Sequence, residues 1–304
     1  PATAGGGEAP AAAWSIVPVA WPSFVGPDAD AAWRAFDERL AVAAAGDRTT
    51  VLLVRGGAAP GLGDPRDPRG FRGPDGAAGS AAARDAFRKA FNDFLRDLAR
   101  RAAGRAAWFL LADVAPVPGS PDDARLADYE LKSASVTLRS EAPGAGVGAL
   151  AESEAEFDLL LRAYAVSDDL APYIDAVGRR VGAADEADLA AAARRVRAAL
   201  LARDAGASIW MIVPTPPGLP AERTADEAAA RSLELLDGGA DLAIVDAGSA
   251  PDAARLALAG VAAALGRDAG AAPKNAAGVE PVSGADALRW TYFFDDRNFR
   301  EIIV

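Results

Sequence analysis

Residues 85–111, DAFRKAFNDFLRDLARRAAGRAAWFLL, decide the fold class of this chain. In the first part of the stretch, apolar residues recur at the three- and four-residue spacing of one helix face, with charged residues on the other side: Phe87, Phe91, Phe94, Leu95 and Leu98. Gly104 then ends the predicted helix. The run Trp108–Leu111 that follows has the length and composition of a buried strand. A long amphipathic helix that leads into a short buried strand is the repeating unit of α/β folds.

The same alternation extends in both directions from this stretch. Seven apolar segments read as strands, namely 14–21, 50–54, 108–111, 147–150, 173–177, 208–213 and 242–245, and amphipathic helices separate them. Strict alternation predicts βαβ units and a parallel sheet. We therefore expect an α/β fold of the (β/α)8 TIM-like barrel type over residues 14–265. Only seven strands are recognised, so the first strand of the barrel is expected to be missing or irregular.

The segments outside the barrel have a different composition. Residues 1–13 are rich in Ala, Gly and Pro and lack periodicity, which predicts a disordered tail of the kind left when a signal peptide is removed. Residues 266–284 read as a linker. Residues 285–304 predict a C-terminal β hairpin, because two apolar segments flank Asp295–Asn298. Residues 56–79 form a loop too long for a plain connection, and we expect it to overhang the mouth of the barrel.

Composition excludes several kinds of chemistry. The chain has no histidine and no cysteine, which excludes Ser-His-Asp and Cys-His nucleophiles and thiolate or imidazole zinc sites. Its net charge is −11, with no basic patch, so we expect no nucleic-acid partner. No apolar run is long enough for a membrane span. We expect no metal and no cofactor, which leaves carboxylate chemistry as the best fit.

Several short motifs, in a fixed order, carry a family resemblance. They are the helix end 98–104 that leads into an aromatic strand, Asp128-Tyr129, Leu131-Lys132, SEAPGAGV at 140–147, YIDAVG at 173–178, and Ile209-Trp210. This series resembles the clan A glycoside hydrolases, nearest the β-xylosidase/α-L-iduronidase type. The resemblance covers residues 37–245, and Leu288–Val304 is similar to the family's trailing β segment. It implies a barrel with two catalytic glutamates at strand ends and a carbohydrate substrate.

The functional positions depart from the family pattern. The resemblance puts the family's Asn-Glu pair on Asp113-Val114, its nucleophile on Val213 and its strand-end histidine on Arg180. No acid lies between Asp204 and Glu222, whereas a shift of one residue would put Asp113 at the place of the acid/base. A retaining glycosidase needs two carboxyl groups about 5 Å apart. We therefore expect at most residual hydrolysis.

Three acids are candidate catalytic residues, and each has a structural alternative. Asp113 follows a strand at the barrel face where active sites lie, or it caps the loop around Pro116. Glu152 could enter the mouth as its partner, or it belongs to the acidic first turn of a helix. Asp246 ends another strand, where it faces the cleft or caps the next helix.

The candidate substrate-binding residues are aromatic or cationic: Trp21, Arg55, Tyr129, Arg180 and Trp210. An aromatic plane suits the apolar face of a pyranose ring, although most of these rings could equally be core residues. Trp21, at a strand end, is the best stacking candidate.

These observations predict a secreted or periplasmic, glycosidase-like barrel that has lost standard catalysis and binds a poly- or oligosaccharide at its C-terminal mouth. Two alternatives stay open. One is an active glycosidase that uses Asp113 with a non-standard carboxylate partner. The other is a non-catalytic scaffold or interaction protein whose mouth is vestigial.

Overall fold

The computed structural model describes eleven segments of the chain: residues 14–45, 49–57, 81–114, 122–167, 169–182, 185–203, 205–214, 221–246, 282–284, 287–293 and 299–303. The predicted tail, most of the 56–79 loop, the last part of the predicted barrel (residues 247–265) and nearly all of the linker lie outside the described residues.

Seven strands and six helices alternate along the first part of the described chain. The strands are β1 (Trp14–Ala20), β2 (Thr49–Arg55), β3 (Trp108–Ala112), β4 (Gly146–Ala151), β5 (Ala176–Arg180), β6 (Ser208–Pro214) and β7 (Leu242–Asp246). The helices are α1 (Ala29–Ala43), α2 (Ala81–Ala102), α3 (Asp123–Glu141), α4 (Glu154–Ser167), α5 (Leu189–Leu201) and α6 (Ala221–Asp237). None of the described helices is long and apolar enough to cross a membrane.

The seven strands form a curled parallel sheet in sequence order, from β1 to β7. Each strand pairs with the next in parallel, as in Val51 with Trp108 and Trp210 with Leu242. The predicted α/β alternation and parallel sheet are thereby confirmed for this part of the chain. Because all the strands run the same way, their carboxyl ends share one edge, which we call the mouth.

Three further strands extend this sheet: β8 (Val282–Gly284), β9 (Ala287–Phe293) and β10 (Phe299–Ile303). β10 pairs in parallel with β7, with Glu301 opposite Leu242. β9 pairs antiparallel with β10, and β8 antiparallel with β9. Closure of the sheet as an eight-stranded barrel stays a prediction.

Two cores form on the two faces of the sheet, because successive residues of a strand point to opposite sides. In β3, Leu110 and Ala112 belong to the inner core, on the concave side of the curled sheet. Phe109 and Leu111 of the same strand belong to the larger outer core between the sheet and the helices. This alternation fixes which residue at each strand end faces the interior.

At the edge opposite the mouth, two aspartates fasten strand starts to the preceding helices. Asp175 Oδ2 accepts hydrogen bonds from the Val147 amide and from Arg139 Nη2, both at 2.8 Å. Asp175 lies just before β5 and its side chain is 41% exposed, so these contacts give it a structural role at the surface of the sheet.

Asp241 repeats this arrangement two strands further on. Its Oδ2 accepts from the Ile209 amide at 2.8 Å, and its Oδ1 accepts from Arg197 Nη2 at 2.7 Å. Each of these two arrangements, which we call clasps, combines an aspartate before one strand, the amide of the second residue of the previous strand and an arginine of the helix before that.

Polar pairs run along the contact between α2 and α3. Arg88 Nε donates to Glu130, Asn92 Nδ2 donates to Ser133 Oγ at 2.9 Å, and Arg100 binds both oxygens of Glu141 at 3.0 Å. The partners are 41 or 42 residues apart, so the two helices lie side by side in a constant register.

Candidate functional site

Four charged residues from successive strands meet at the mouth. Arg55 is the last residue of β2, Asp113 directly follows β3, Glu152 directly follows β4, and Arg180 is the last residue of β5. We call these four residues the mouth cluster. All four are among the site residues predicted from the sequence.

Glu152 is the centre of the mouth cluster. Its Oε1 accepts a hydrogen bond from Arg55 Nη2 at 2.5 Å, and its Oε2 accepts from Arg180 Nε. Arg55 Nη1 lies 3.3 Å from Asp113 Oδ2, so one guanidinium contacts both carboxylates. The four side chains are between 17% and 32% exposed. Two acids and two arginines thus form a neutral, partly buried network of charge-assisted hydrogen bonds.

The backbone at Asp113 adopts an uncommon conformation. Its φ is +55°, in the left-handed region that aspartate tolerates better than most residues do. Gly56, just after β2, donates its amide proton to the Ala112 carbonyl at 2.9 Å. A Cβ at Gly56 would lie 2.2 Å from the Asp113 carbonyl oxygen, so only glycine fits here. The close approach of the two chains sets the position of Asp113 beside Arg55.

Glu156 supports Glu152 from the first turn of α4. Its Oε2 accepts from the Glu152 amide at 2.7 Å, and its own amide donates to Ser153 Oγ at 3.3 Å. This resembles a capping box, in which a serine and a glutamate three residues apart satisfy the first amides of a helix. Burial raises the pKa of the Glu156 carboxyl, and the nearby Asp113 carboxylate acts in the same direction.

A small cavity lies between β3, β4 and the helices α3 and α4. It measures about 40 Å³, and its polar lining consists of Asp113 and Glu156 among aliphatic side chains. A cavity of this size holds a few water molecules at most. This cavity is therefore too small for a sugar ring.

A second network of ion pairs lies on the outer face of the sheet, behind the mouth cluster. Arg179 donates to Glu154 and, at 2.9 Å, to Asp185 Oδ2, while Arg195 Nη2 binds Asp185 Oδ1 at 2.9 Å. Asp185 is only 2% exposed. Glu152 and Glu154 thus bind Arg180 and Arg179, respectively, on the inner and outer faces of β5.

Sequence reasoning missed this outer network and the supporting role of Glu156. The signals that could have identified the outer network were the alternation of Glu152 with Glu154 and the consecutive Arg179-Arg180 at a strand end. Asp246 ends β7, in register with Pro214 of β6, at the same edge of the sheet as the mouth cluster.

The structure corrects the position expected for Trp21. The residue lies in a short 3-10 helix after β1 and is fully buried. Its ring packs edge-on against Phe87 and Phe91 of α2, with centroids 4.7 and 5.2 Å away. The ring is part of the outer core, so no face is exposed for a sugar.

The rings of the other two aromatic candidates, Trp210 and Tyr129, contact groups outside the mouth cluster. Trp210 is 3% exposed inside the sheet and contacts the ring of Trp108 at 4.8 Å between centroids. Tyr129 is exposed, but it lies on α3, where the guanidinium of Arg88 covers its ring at 4.4 Å. Within the described part of the chain, none of the predicted stacking rings faces the mouth cluster.

The orientation of Val213 differs from what the family resemblance implies. Val213 is fully buried in the outer core, as is Met211, whereas Ile212 belongs to the inner core. Val114 is also buried on the outer side. A glutamate placed at Val213 would therefore point between the sheet and the helices.

Comparison with known proteins gives structural similarity alone. No family model and no curated protein matches the chain. A GH10 endoxylanase from a sugarcane soil metagenome matches at 13% identity with a TM-score of 0.40, covering 74% of this chain and 81% of the other. Xylanase 10B of Thermotoga maritima matches at 13% identity with a TM-score of 0.41, covering 73% of this chain and 69% of the other.

A thermostable mutant of xylanase Xyn10A from Cellvibrio japonicus matches at 14% identity with a TM-score of 0.37, covering 76% of this chain and 82% of the other. The similarity is to GH10 glycoside hydrolases. At this level it assigns no role to any residue of the chain.

Proposed function

We propose that this chain is a glycoside hydrolase-like (β/α)8 barrel that has lost catalysis and binds an oligo- or polysaccharide at its C-terminal mouth. The observation that supports the proposal is the mouth cluster, in which Arg55, Asp113, Glu152 and Arg180 converge from four successive strand ends. Polar groups held at the C-terminal edge of a parallel α/β sheet are the usual means by which such folds bind ligands.

The engagement of Glu152 argues against its use as a catalytic carboxylate. Each of its oxygens accepts a hydrogen bond from a different arginine, which occupies one lone pair on each oxygen and makes the carboxylate a weaker nucleophile. The inward residues at the end of β6 are Ile212 and Pro214, which carry no carboxyl group. A retaining mechanism needs two available carboxyls about 5 Å apart.

The same residues suit the recognition of a polyol. A sugar hydroxyl both donates and accepts, whereas a guanidinium only donates and a carboxylate only accepts. Adjacent hydroxyls could therefore bridge Arg55 and Asp113, whose contact of 3.3 Å is the longest in the cluster. Binding would depend on polar contacts more than on ring stacking.

A pair of arginine substitutions tests this proposal. Arg55→Ala should weaken glycan binding by roughly tenfold or more, since a hydrogen bond involving a charged group contributes about 1.5–3 kcal/mol. Arg197→Ala is the matched control, because its side chain is 38% exposed against 32% for Arg55 and it binds an aspartate at the opposite edge. Calorimetry against a panel of plant and bacterial polysaccharides provides the measurement.

The outcomes of this experiment separate the functions. Loss of binding in Arg55→Ala alone supports recognition at the mouth. Equal weakening in both variants would point to a general loss of structure and contradict the proposal. If the unmodified chain binds no glycan in the panel, the proposal fails and the scaffold function gains support.

An active glycosidase is the second candidate function, because Arg55 contacts both Asp113 and Glu152 and so brings two carboxylates to one site. Chromogenic xylosides, glucosides and iduronides test it directly. Turnover by the unmodified chain that Asp113→Asn abolishes would establish this alternative. Turnover no greater than background in both proteins would exclude it for these substrates.

A further inference from the structure

We infer that Asp185 is a positioning residue for the mouth. It lies on the outer face of the sheet and fixes the segment that carries Arg180. Through Arg180 it holds Glu152 in the mouth cluster. The part of this inference that concerns ligand binding rests on the proposed function.

The first step is the alternation along β5. Arg179 and Arg180 are consecutive strand residues, so their side chains leave the sheet on opposite faces. Arg180 binds Glu152 in the mouth. Arg179 is buried on the outer face, where its guanidinium lies 5.3 Å from the centroid of the Phe157 ring.

The second step is that Asp185 contacts the chain on both sides of Arg180. Its Oδ2 accepts from Arg179 Nη2 at 2.9 Å and from the Gly182 amide at 3.1 Å. The Asp185 amide in turn donates to the Gly182 carbonyl at 3.0 Å. One buried carboxylate thus fixes residues 179 and 182, and Arg180 lies between them.

The third step is the cost of removing that carboxylate. Leaving one member of a buried ion pair without its partner is far more disruptive than losing an exposed pair. The remaining acidic partner of Arg179 among the described contacts is Glu154, whose side chain is 65% exposed. Arg179 Nε already has no hydrogen-bond partner within the described residues. Without Asp185, Arg179 must turn toward solvent, and the end of β5 moves with it.

The test follows the Arg180 side chain by NMR in the absence of any glycan. The Nε–Hε signal of Arg180 is identified by its disappearance in Arg180→Lys. Its hydrogen exchange should be about tenfold faster in Asp185→Ala than in the unmodified protein, because the Glu152 hydrogen bond opens more often. Asp241→Ala is the matched control, since Asp241 binds an arginine and a strand amide at the opposite edge. It should leave the exchange of the Arg180 signal unchanged.

Each result decides the inference. Unchanged exchange in a folded Asp185→Ala protein overturns it, and so does equal acceleration in Asp185→Ala and Asp241→Ala. If Asp185→Ala does not fold, Asp185→Asn replaces it, since the amide oxygen can still accept from Gly182 while the charge that binds Arg179 is lost. Faster exchange in that variant supports the inference, and unchanged exchange overturns it.

Glycan binding is a separate readout of the same variants. If Asp185→Ala weakens the binding of a glycan that the unmodified protein binds, the positioning role extends to function. If the unmodified protein binds no glycan, the proposed function fails, while the NMR result still decides whether Asp185 positions Arg180.

Discussion

At the scale of single residues, steric contacts of the backbone fix the geometry of the mouth as strictly as charge does. Asp113 has a left-handed φ of +55°, and Gly56 lies against its carbonyl group. Backbone strain of this kind persists only where the surroundings enforce it, and it is common at functional sites. Here the enforcing contact is the approach of residue 56 to the end of β3.

Gly56→Ala should therefore destabilise the protein and displace Asp113. A Cβ at 2.2 Å from a backbone oxygen forces the end of β2 or β3 to move, and overpacking of this kind costs about 1–3 kcal/mol. Gly144→Ala is the control, because no atom lies within 4 Å of its added Cβ. Urea unfolding should show a clear loss for Gly56→Ala and little change or a slight gain for Gly144→Ala. Equal stability of the two variants would contradict this account of the mouth.

At the scale of elements, the contact between α2 and α3 includes a carboxylate that is costly to bury. Glu130 is 15% exposed and faces Arg88, which is 23% exposed. Burial raises the pKa of the Glu130 carboxyl, and the Arg88 guanidinium only partly offsets this. The pair therefore aligns the two helices, while burial of the ionised Glu130 carboxylate carries a free-energy cost.

This shift gives the stability of the protein a definite pH dependence. A carboxyl with a raised pKa binds its proton more tightly in the folded state than in the unfolded chain. The free energy of unfolding must then fall as the pH rises from the ordinary value of 4.5 through the folded pKa, and this contribution levels off above it. Glu130→Gln lacks the titrating group. The stability of the unmodified protein relative to Glu130→Gln should thus decline over that window.

Urea unfolding of both proteins at a series of pH values measures this difference. Glu156, whose pKa is also raised, should behave in the same way, so the stability of the unmodified protein should decline still more relative to the double variant with Glu156→Gln. Parallel curves for Glu130→Gln and the unmodified protein would show that Glu130 has the same pKa in both states.

At the scale of the whole molecule, the sequence predicted the strands better than the contacts between them. The strand predicted at 208–213 is observed as Ser208–Pro214, and the strand predicted at 108–111 as Trp108–Ala112. Runs of apolar residues are a local property, so they can be read without the fold. The order of β1 to β7 followed from the alternation with helices.

Contacts between distant residues could not be read in this way. Arg55 and Glu152 are 97 residues apart, and only the shared direction of the strands brings them together. Trp21 was expected at the mouth because it follows a strand, but a turn of 3-10 helix carries its ring onto α2. The pairing of β10 with β7 also has no local signal, because the two strands, at 242–246 and 299–303, are far apart in the sequence.

The two clasps opposite the mouth define how the sheet should open. One joins the starts of β4 and β5 to α3, and the other joins the starts of β6 and β7 to α5. Local opening often follows such cooperative units. In hydrogen-exchange mass spectrometry, Arg139→Ala should speed exchange around Val147 but not around Ile209, and Arg197→Ala should do the reverse. Uniform acceleration in both variants would mean that the sheet opens as a single unit.

If the two parts of the sheet open independently, opening of β4 and β5 would affect ligand release more than opening of β6 and β7 would. Glu152 follows β4 and Arg180 is the last residue of β5, so each opening of these two strands would displace two of the four residues of the mouth cluster. Opening of β6 and β7 would leave all four residues of the mouth cluster in place. The lifetime of a bound ligand would then depend on Arg139, at the far edge of the sheet, and hardly at all on Arg197.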